Sequence, residues 1–157
     1  MLRNLVLVCV LVGVVVAKNH IQDQTIYKIL NKSDNGALTI TSDNSGTDDM
    51  KVRVQSWSDA AGQKWKSKQP LLAKSFEFKP TSNDQIRLDA DSLSNVYARM
   101  VSGQDTKSWY VKDMGEGVFQ IKNYVSGTCI ASQGLTKPVK LMSCDNSPPQ
   151  QWTFTPL

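Results

Sequence analysis

Val139-Lys140-Leu141-Met142-Ser143-Cys144-Asp145-Asn146-Ser147-Pro148-Pro149-Gln150-Gln151-Trp152 decides the fold once its tryptophan is counted back along the chain. Trp152 stands 43 residues after Trp109, which stands 44 after Trp65. Thirteen positions before the three tryptophans come Val139, Val96 and Val52, and eleven before them come Leu141, Ala98 and Val54. Each unit therefore repeats an apolar, any residue, apolar pair with strand period. A second apolar pair recurs as Tyr27 with Ile29, Phe76 with Phe78, and Phe119 with Ile121. A third recurs as Leu38 with Ile40, Ile86 with Leu88, and Cys129 with Ile130. The loop from Ser42 to Asp49 accounts for the greater length of the first unit. A period of this size is the mark of a repeat architecture.

Turn residues such as Asp34-Asn35-Gly36, Ser82-Asn83-Asp84 and Ser126-Gly127 divide each unit into about four short strands. No window shows helical periodicity. Three units of four strands fit an all-β β-trefoil of about 12 strands, a six-stranded barrel capped by three hairpins. The units run over about 24–65, 66–109 and 110–157. The alternative, a β-sandwich, has to explain why several independent positions keep one offset.

Residues 2–17 place Arg3 before an uninterrupted apolar run that ends with small residues at Val15 and Ala17, the pattern of a secretory signal peptide cleaved after Ala17. The alternative is a membrane anchor, but Leu5 to Ala17 is well short of the roughly 20 residues that span a bilayer. No second hydrophobic stretch follows, so no transmembrane segment is expected and residues 18–157 form one exported domain. That domain carries 17 Lys and Arg against 14 Asp and Glu, a net charge of +3. Cys9 leaves with the signal peptide. Cys129 and Cys144 remain, and an even pair in an oxidising compartment reads as one disulfide, the alternative being two buried thiols. Asn31-Lys32-Ser33 is an N-glycosylation acceptor if the host is a eukaryote.

The first unit ends in Gln63-Lys64-Trp65, the third in Gln150-Gln151-Trp152, and the middle one keeps the tryptophan in Lys107-Ser108-Trp109. With Gly127-Thr128-Cys129-Ile130 and the Cys144 segment, these motifs resemble the ricin B-type β-trefoil lectins over essentially the whole mature chain. The resemblance implies a bridge between the two cysteines within one repeat. A buried tryptophan and a glutamine bonded to turn backbone explain the Gln-x-Trp motif without a ligand, so Gln63, Trp65, Trp109, Gln150 and Trp152 are read as structural.

In the lectins that the chain resembles, an active repeat uses an Asp after the second strand, an aromatic ring ten positions before the tryptophan, and an Asn before the glutamine. Those positions hold Thr39, Gln55 and Gly62 in the first unit, Asp89, Arg99 and Thr106 in the second, and Ala131, Met142 and Pro149 in the third. Galactose-type sites are therefore expected to be degenerate. Asp89 with Tyr97 and Arg99 forms the best remaining carbohydrate-binding set, set against a reading of Asp89 as an exposed turn residue. Repeat phase makes Ile86 with Val101, and Ala37 with Trp57, the counterparts of Cys129 with Cys144, each pair packed together. Lys64, Lys66, Lys68 and Lys74 form a basic stretch suited either to anionic glycans and phospholipid head groups or to plain solvation.

With one His, three Cys and no His near a nucleophile, an enzyme, a metal site and a cofactor site are not expected. Nucleic acid is not an expected partner, because the aromatic residues are phased for a core. The expected function is a secreted, lectin-like module that recognises glycan or another cell-surface ligand. The third unit, from Gln120 to Pro156, also resembles the cell-binding A and C subunits of cytolethal distending toxins, which implies a larger toxin partner. A trefoil protease inhibitor of the Kunitz soybean type lacks phased Gln-x-Trp.

Overall fold

Trp65, Trp109 and Trp152 are each fully buried, and each indole Nε1 donates to a main-chain carbonyl of its own repeat: Leu38 at 2.7 Å, Leu88 at 3.0 Å and Ile130 at 3.1 Å. A tryptophan this buried removes about 200 Å² from water, worth roughly 5 kcal/mol before chain entropy is counted. The computed structural model describes residues 20–41, 50–70, 73–100 and 105–157. The expected signal peptide with Cys9, the long first-unit loop and Val101 lie outside the described residues.

The strands are β1 (Ile26–Asn31), β2 (Ala37–Thr41), β3 (Met50–Gln55), β4 (Lys64–Lys68), β5 (Glu77–Pro80), β6 (Ile86–Ala90), β7 (Val96–Met100), β8 (Trp109–Gly115), β9 (Val118–Asn123), β10 (Cys129–Ala131), β11 (Lys140–Met142) and β12 (Trp152–Pro156). Short 3₁₀ turns at Ala61–Gln63, Asp105–Lys107 and Pro148–Gln150 lead into the tryptophans. β1 pairs with β4 and β12, β4 with β5, and β8 and β12 with β9. The reciprocal bridge between Phe76 and Trp109 closes β5 on β8, completing a six-stranded barrel. The hairpins β2–β3, β6–β7 and β10–β11 cap it, joined to one another by β3–β7 pairing and by bridges from Arg53 to Pro138 and from Asn95 to Lys140.

The register shows the threefold relation directly. Trp65 stands opposite Pro80, Trp109 opposite Asn123, and Trp152 opposite Asn31. Val52, Val96 and Val139 are buried together in the core with Ile29, Phe78 and Ile121. Strand alternation explains the pattern: in β1, Tyr27, Ile29 and Asn31 turn inward while Ile26, Lys28 and Leu30 are only partly covered.

Cys129 and Cys144 are bridged, with Cα atoms 5.1 Å apart. Their expected counterparts need correction in the second repeat. Ile130 pairs with Leu141, eleven residues on, whereas Leu88 pairs with Ala98, only ten on. Counting back from the tryptophan therefore slips by one, and the counterpart of Cys129 is Arg87, not Ile86. Ile86 is a core residue that pairs with Met100, while Arg87 reaches Glu77 at 3.4 Å and the Asp84 carbonyl at 2.7 Å. In the first repeat Ala37 faces Gln55 as Cys129 faces Met142, and Trp57 follows Gln55 by two residues as Cys144 follows Met142. Trp57 is half-buried, with the Lys28 ammonium 5.1 Å from the ring centroid.

Candidate functional site

The Gln-x-Trp glutamines are framework residues. Gln63 is buried; its Oε1 accepts from Ser58 N at 2.8 Å and its Nε2 donates to the Ser56 carbonyl at 2.8 Å and to Thr39 Oγ1 at 3.1 Å. Gln150 repeats the arrangement, accepting from Asp145 N at 2.9 Å and Gln120 Nε2 at 3.1 Å and donating to the Ser143 carbonyl at 2.8 Å. In both repeats the amide ties the loop after the third strand to the 3₁₀ turn.

Asn31, the expected glycosylation acceptor, is 1% exposed. Its Nδ2, the atom a glycan would need, donates to the carbonyls of Pro149 at 2.8 Å and Gln151 at 3.2 Å, and its Oδ1 accepts from Ser33 N and Oγ. Asn123 does the same one repeat away, donating to the Thr106 carbonyl at 2.7 Å and accepting from Val125 N and Ser126 N. Both are junction staples between repeats. The sequence signal was an Asn ending a strand and followed two or three residues on by Ser, which also reads as an Asx turn.

The sugar-type positions fall at equivalent places on the three hairpins and differ in what they offer. In the first, Thr39 is buried and its hydroxyl is used by the Ala37 carbonyl and Gln63. A Cβ on Gly62 would lie 2.9 Å from the Ile40 side chain, so that pocket is filled. In the third, a cavity of about 420 Å³ is lined by Ala131, Met142 and Pro149 with Ser132, Asp145 and Ser147, and lacks a carboxylate at the Asp89 position.

The second repeat holds a cavity of about 480 Å³ that brings Asp89, Arg99 and Thr106 together. Asp89 is 3% exposed, so the reading of an exposed turn residue does not hold. Asp89 lies on the face of β6 opposite the core residues Leu88 and Ala90, and its carboxylate is covered where Oδ1 accepts from Ala90 N at 2.7 Å and Oδ2 from Arg99 Nε at 2.8 Å. Arg99 also donates to the Ala90 carbonyl at 2.9 Å, and its guanidinium lies over the Tyr97 ring at 5.5 Å. Tyr97 thus supports Arg99 and does not line the cavity.

Asp91, Asn123, Val125 and Ser126 complete the walls, and motif reasoning missed all four. Asp91 closes the β6–β7 turn by accepting from Leu93 N, Asn95 N and Asn95 Nδ2. Burial would raise its carboxyl, but those hydrogen bonds and the Arg99 charge outweigh burial and hold it below the usual carboxylate range.

Lys64, Lys66 and Lys68 of the basic stretch lie along β4, and Lys74 lies beyond it. Lys64 is paired with Asp59 at 3.0 Å, and Lys66 and Lys68 stand opposite Lys79 and Glu77. Among the described residues no three His, Cys, Asp or Glu side chains gather to hold a metal ion, and no helix is long and apolar enough to cross a membrane.

Solved structures share this architecture over most of the chain. The designed 3-fold symmetric protein ThreeFoil superposes with a TM-score of 0.74 at 23% identity, over 84% of this chain and 99% of its own. The Macrolepiota procera ricin B-like lectin, solved in complex with lactose, gives 0.71 at 16% identity, over 87% and 98%. The fold is a β-trefoil. A mosquitocidal holotoxin superposes with a TM-score of 0.77 at 17% identity, over 85% of this chain and 17% of its own. No family model and no curated protein matches the sequence. At these identities the likeness is one of fold, and each hairpin pocket of the trefoil has to be read from its own residues.

Proposed function

We propose that this trefoil is a secreted, non-enzymatic binding protein that recognises glycan on a surface or matrix through its second repeat. One observation carries the reading. Of three equivalent hairpin positions, the second alone combines an open cavity with a buried, oriented carboxylate, Asp89, and a cation, Arg99, beside it. Sugar hydroxyls both donate and accept, so an acceptor and a fixed planar donor side by side suit them. Arg99 stands where lectins of this fold place an aromatic ring; its guanidinium offers a flat face together with charge. The Thr39 and Ala131 positions leave the other two repeats as scaffold, a trefoil with degenerate sites. The N-terminal apolar run and the Cys129–Cys144 bridge support export to an oxidising compartment.

A second reading is favoured by the holotoxin likeness, in which a trefoil is a small part of a larger chain. There the same pocket would serve as the cell-binding part of a multicomponent toxin, and a pull-down with the exported protein as bait would recover the larger partner.

The test is a glycan array probed with the protein exported from the full chain and with Asp89→Asn, which keeps side-chain size. Binding of a defined glycan class by the parent, lost in the variant, is the expected outcome. Array binding that persists in Asp89→Asn moves the site elsewhere, with the β4 lysines next in line.

A further inference from the structure

The three junctions set the tryptophan against the facing strand in one register, with Pro80 at the first where Asn123 and Asn31 stand at the others, so the fold tolerates different side chains there. The residue after each tryptophan and the residue after its partner on the facing strand are diagonal neighbours across the strand pair. At the first junction these are Lys66 and Thr81, at the third Thr153 and Lys32, and at the second Tyr110 and Tyr124. The two tyrosine rings lie 5.3 Å apart and are 37% and 48% exposed. The fold thus carries an open aromatic pair at one junction of three, the one beside Asp89.

The pair faces a cleft of about 610 Å³ whose polar lining includes Lys74, Ser75, Glu77, Asp105 and Lys107, with Pro70 and Ala73 at one side. This cleft and the Asp89 cavity share their dividing wall. Thr106 faces the Asp89 cavity while Asp105 and Lys107 face the cleft; Asn123, Val125 and Ser126 face the cavity while Tyr124 faces the cleft. The wall is held in place: Asn123 Nδ2 donates to the Thr106 carbonyl, and Tyr124 N to the Ser108 carbonyl at 2.8 Å.

From this we infer that the two cavities are subsites of one extended site, which takes a glycan chain with one residue at Asp89 and Arg99 and a further residue stacked on Tyr110 and Tyr124. The inference rests on the glycan reading above. Ring faces beside two lysines, two carboxylates and a serine suit a ligand with an apolar C–H face and a ring of hydroxyls. A purely apolar ligand would strip water from that polar rim and offer it no hydrogen bond in return.

Calorimetric titration of the full-chain product with length ladders from mono- to hexasaccharide, of N-acetyllactosamine, chitin and cellulose type, tests it. At least one ladder should gain about tenfold in affinity as it lengthens past the disaccharide, a gain equivalent to about 1.4 kcal/mol. Tyr110→Ala/Tyr124→Ala should erase the dependence on length, and Tyr110→Phe/Tyr124→Phe should restore it. Should the double alanine variant fail to fold, Tyr124→Ala alone, at the more exposed ring, gives the same readout. Affinity that depends on Asp89 but is flat with length, or a length gain that survives loss of both rings, overturns the extended site and leaves the glycan reading standing. Absence of binding to every ladder and to the array overturns both.

Discussion

Replacing Gln150 with alanine separates a structural role for the Gln-x-Trp motif from a ligand role. The side chain is 1% exposed and makes three hydrogen bonds, to Asp145 N, the Ser143 carbonyl and Gln120 Nε2. Gln120 keeps its bond to the Asp145 carbonyl, so it is left half-satisfied. Asp145 and Ser143 are near enough to solvent for water to replace part of what they lose. With each unpaired polar group costing about 1–3 kcal/mol, the sum is about 2–4 kcal/mol. In a domain of this size that lowers the melting temperature by roughly 6–12 °C. Urea unfolding followed by the fluorescence of the four tryptophans reads the change. Gln63→Ala should cost about the same, because its bonds to Ser58 N, the Ser56 carbonyl and Thr39 repeat the pattern. A Gln150→Ala protein within about 0.5 kcal/mol of the parent, but with glycan binding lost, would refute the structural assignment.

Asn31→Ala and Asn123→Ala should each cost about 2–4 kcal/mol in urea unfolding, as both remove a buried amide from a repeat junction. Intact-mass measurement of the folded protein from a eukaryotic host should find Asn31 without a glycan. Reducing the Cys129–Cys144 bridge, which spans 15 residues, should lower stability by about 3 kcal/mol, read as a shift in the urea midpoint. For Asp91 the folded state favours the carboxylate, so its contribution is complete above the unfolded pKa of about 4 and drains as pH falls through the lower folded value. The urea midpoint of the parent should fall more steeply below about pH 4 than that of Asp91→Asn; parallel curves would remove Asp91 as a contributor.

The architecture was legible because a threefold barrel forces equivalent side chains into one core, and tryptophans too large to place elsewhere recorded the period. Val52, Val96 and Val139 kept that phase because their strands lead to the tryptophan with one spacing. The phase failed where the β6–β7 connection is a residue shorter than the β10–β11 one, which turned Arg87 into Ile86 on paper. Asp89 was found through its place after Leu88, but its burial was not, because burial depends on Arg99 reaching across the hairpin. Asn31 fits two local signals, and only its contacts with Pro149 and Gln151, distant in sequence, decide between them. Tyr110 and Tyr124 carry no motif; the β8–β9 register sets Tyr110 opposite Lys122, and the contact with Tyr124 is a diagonal one between the two rings.

Backbone amide mapping by NMR, with the glycan that ranks first on the array as titrant, tests the central claim most directly. The account predicts perturbations concentrated at Ala90, Ser92, Thr106 and Ser126, around the Asp89 cavity. Perturbations centred on Lys64 to Lys68, or on Ser132 and Ser147 of the third repeat, would contradict it.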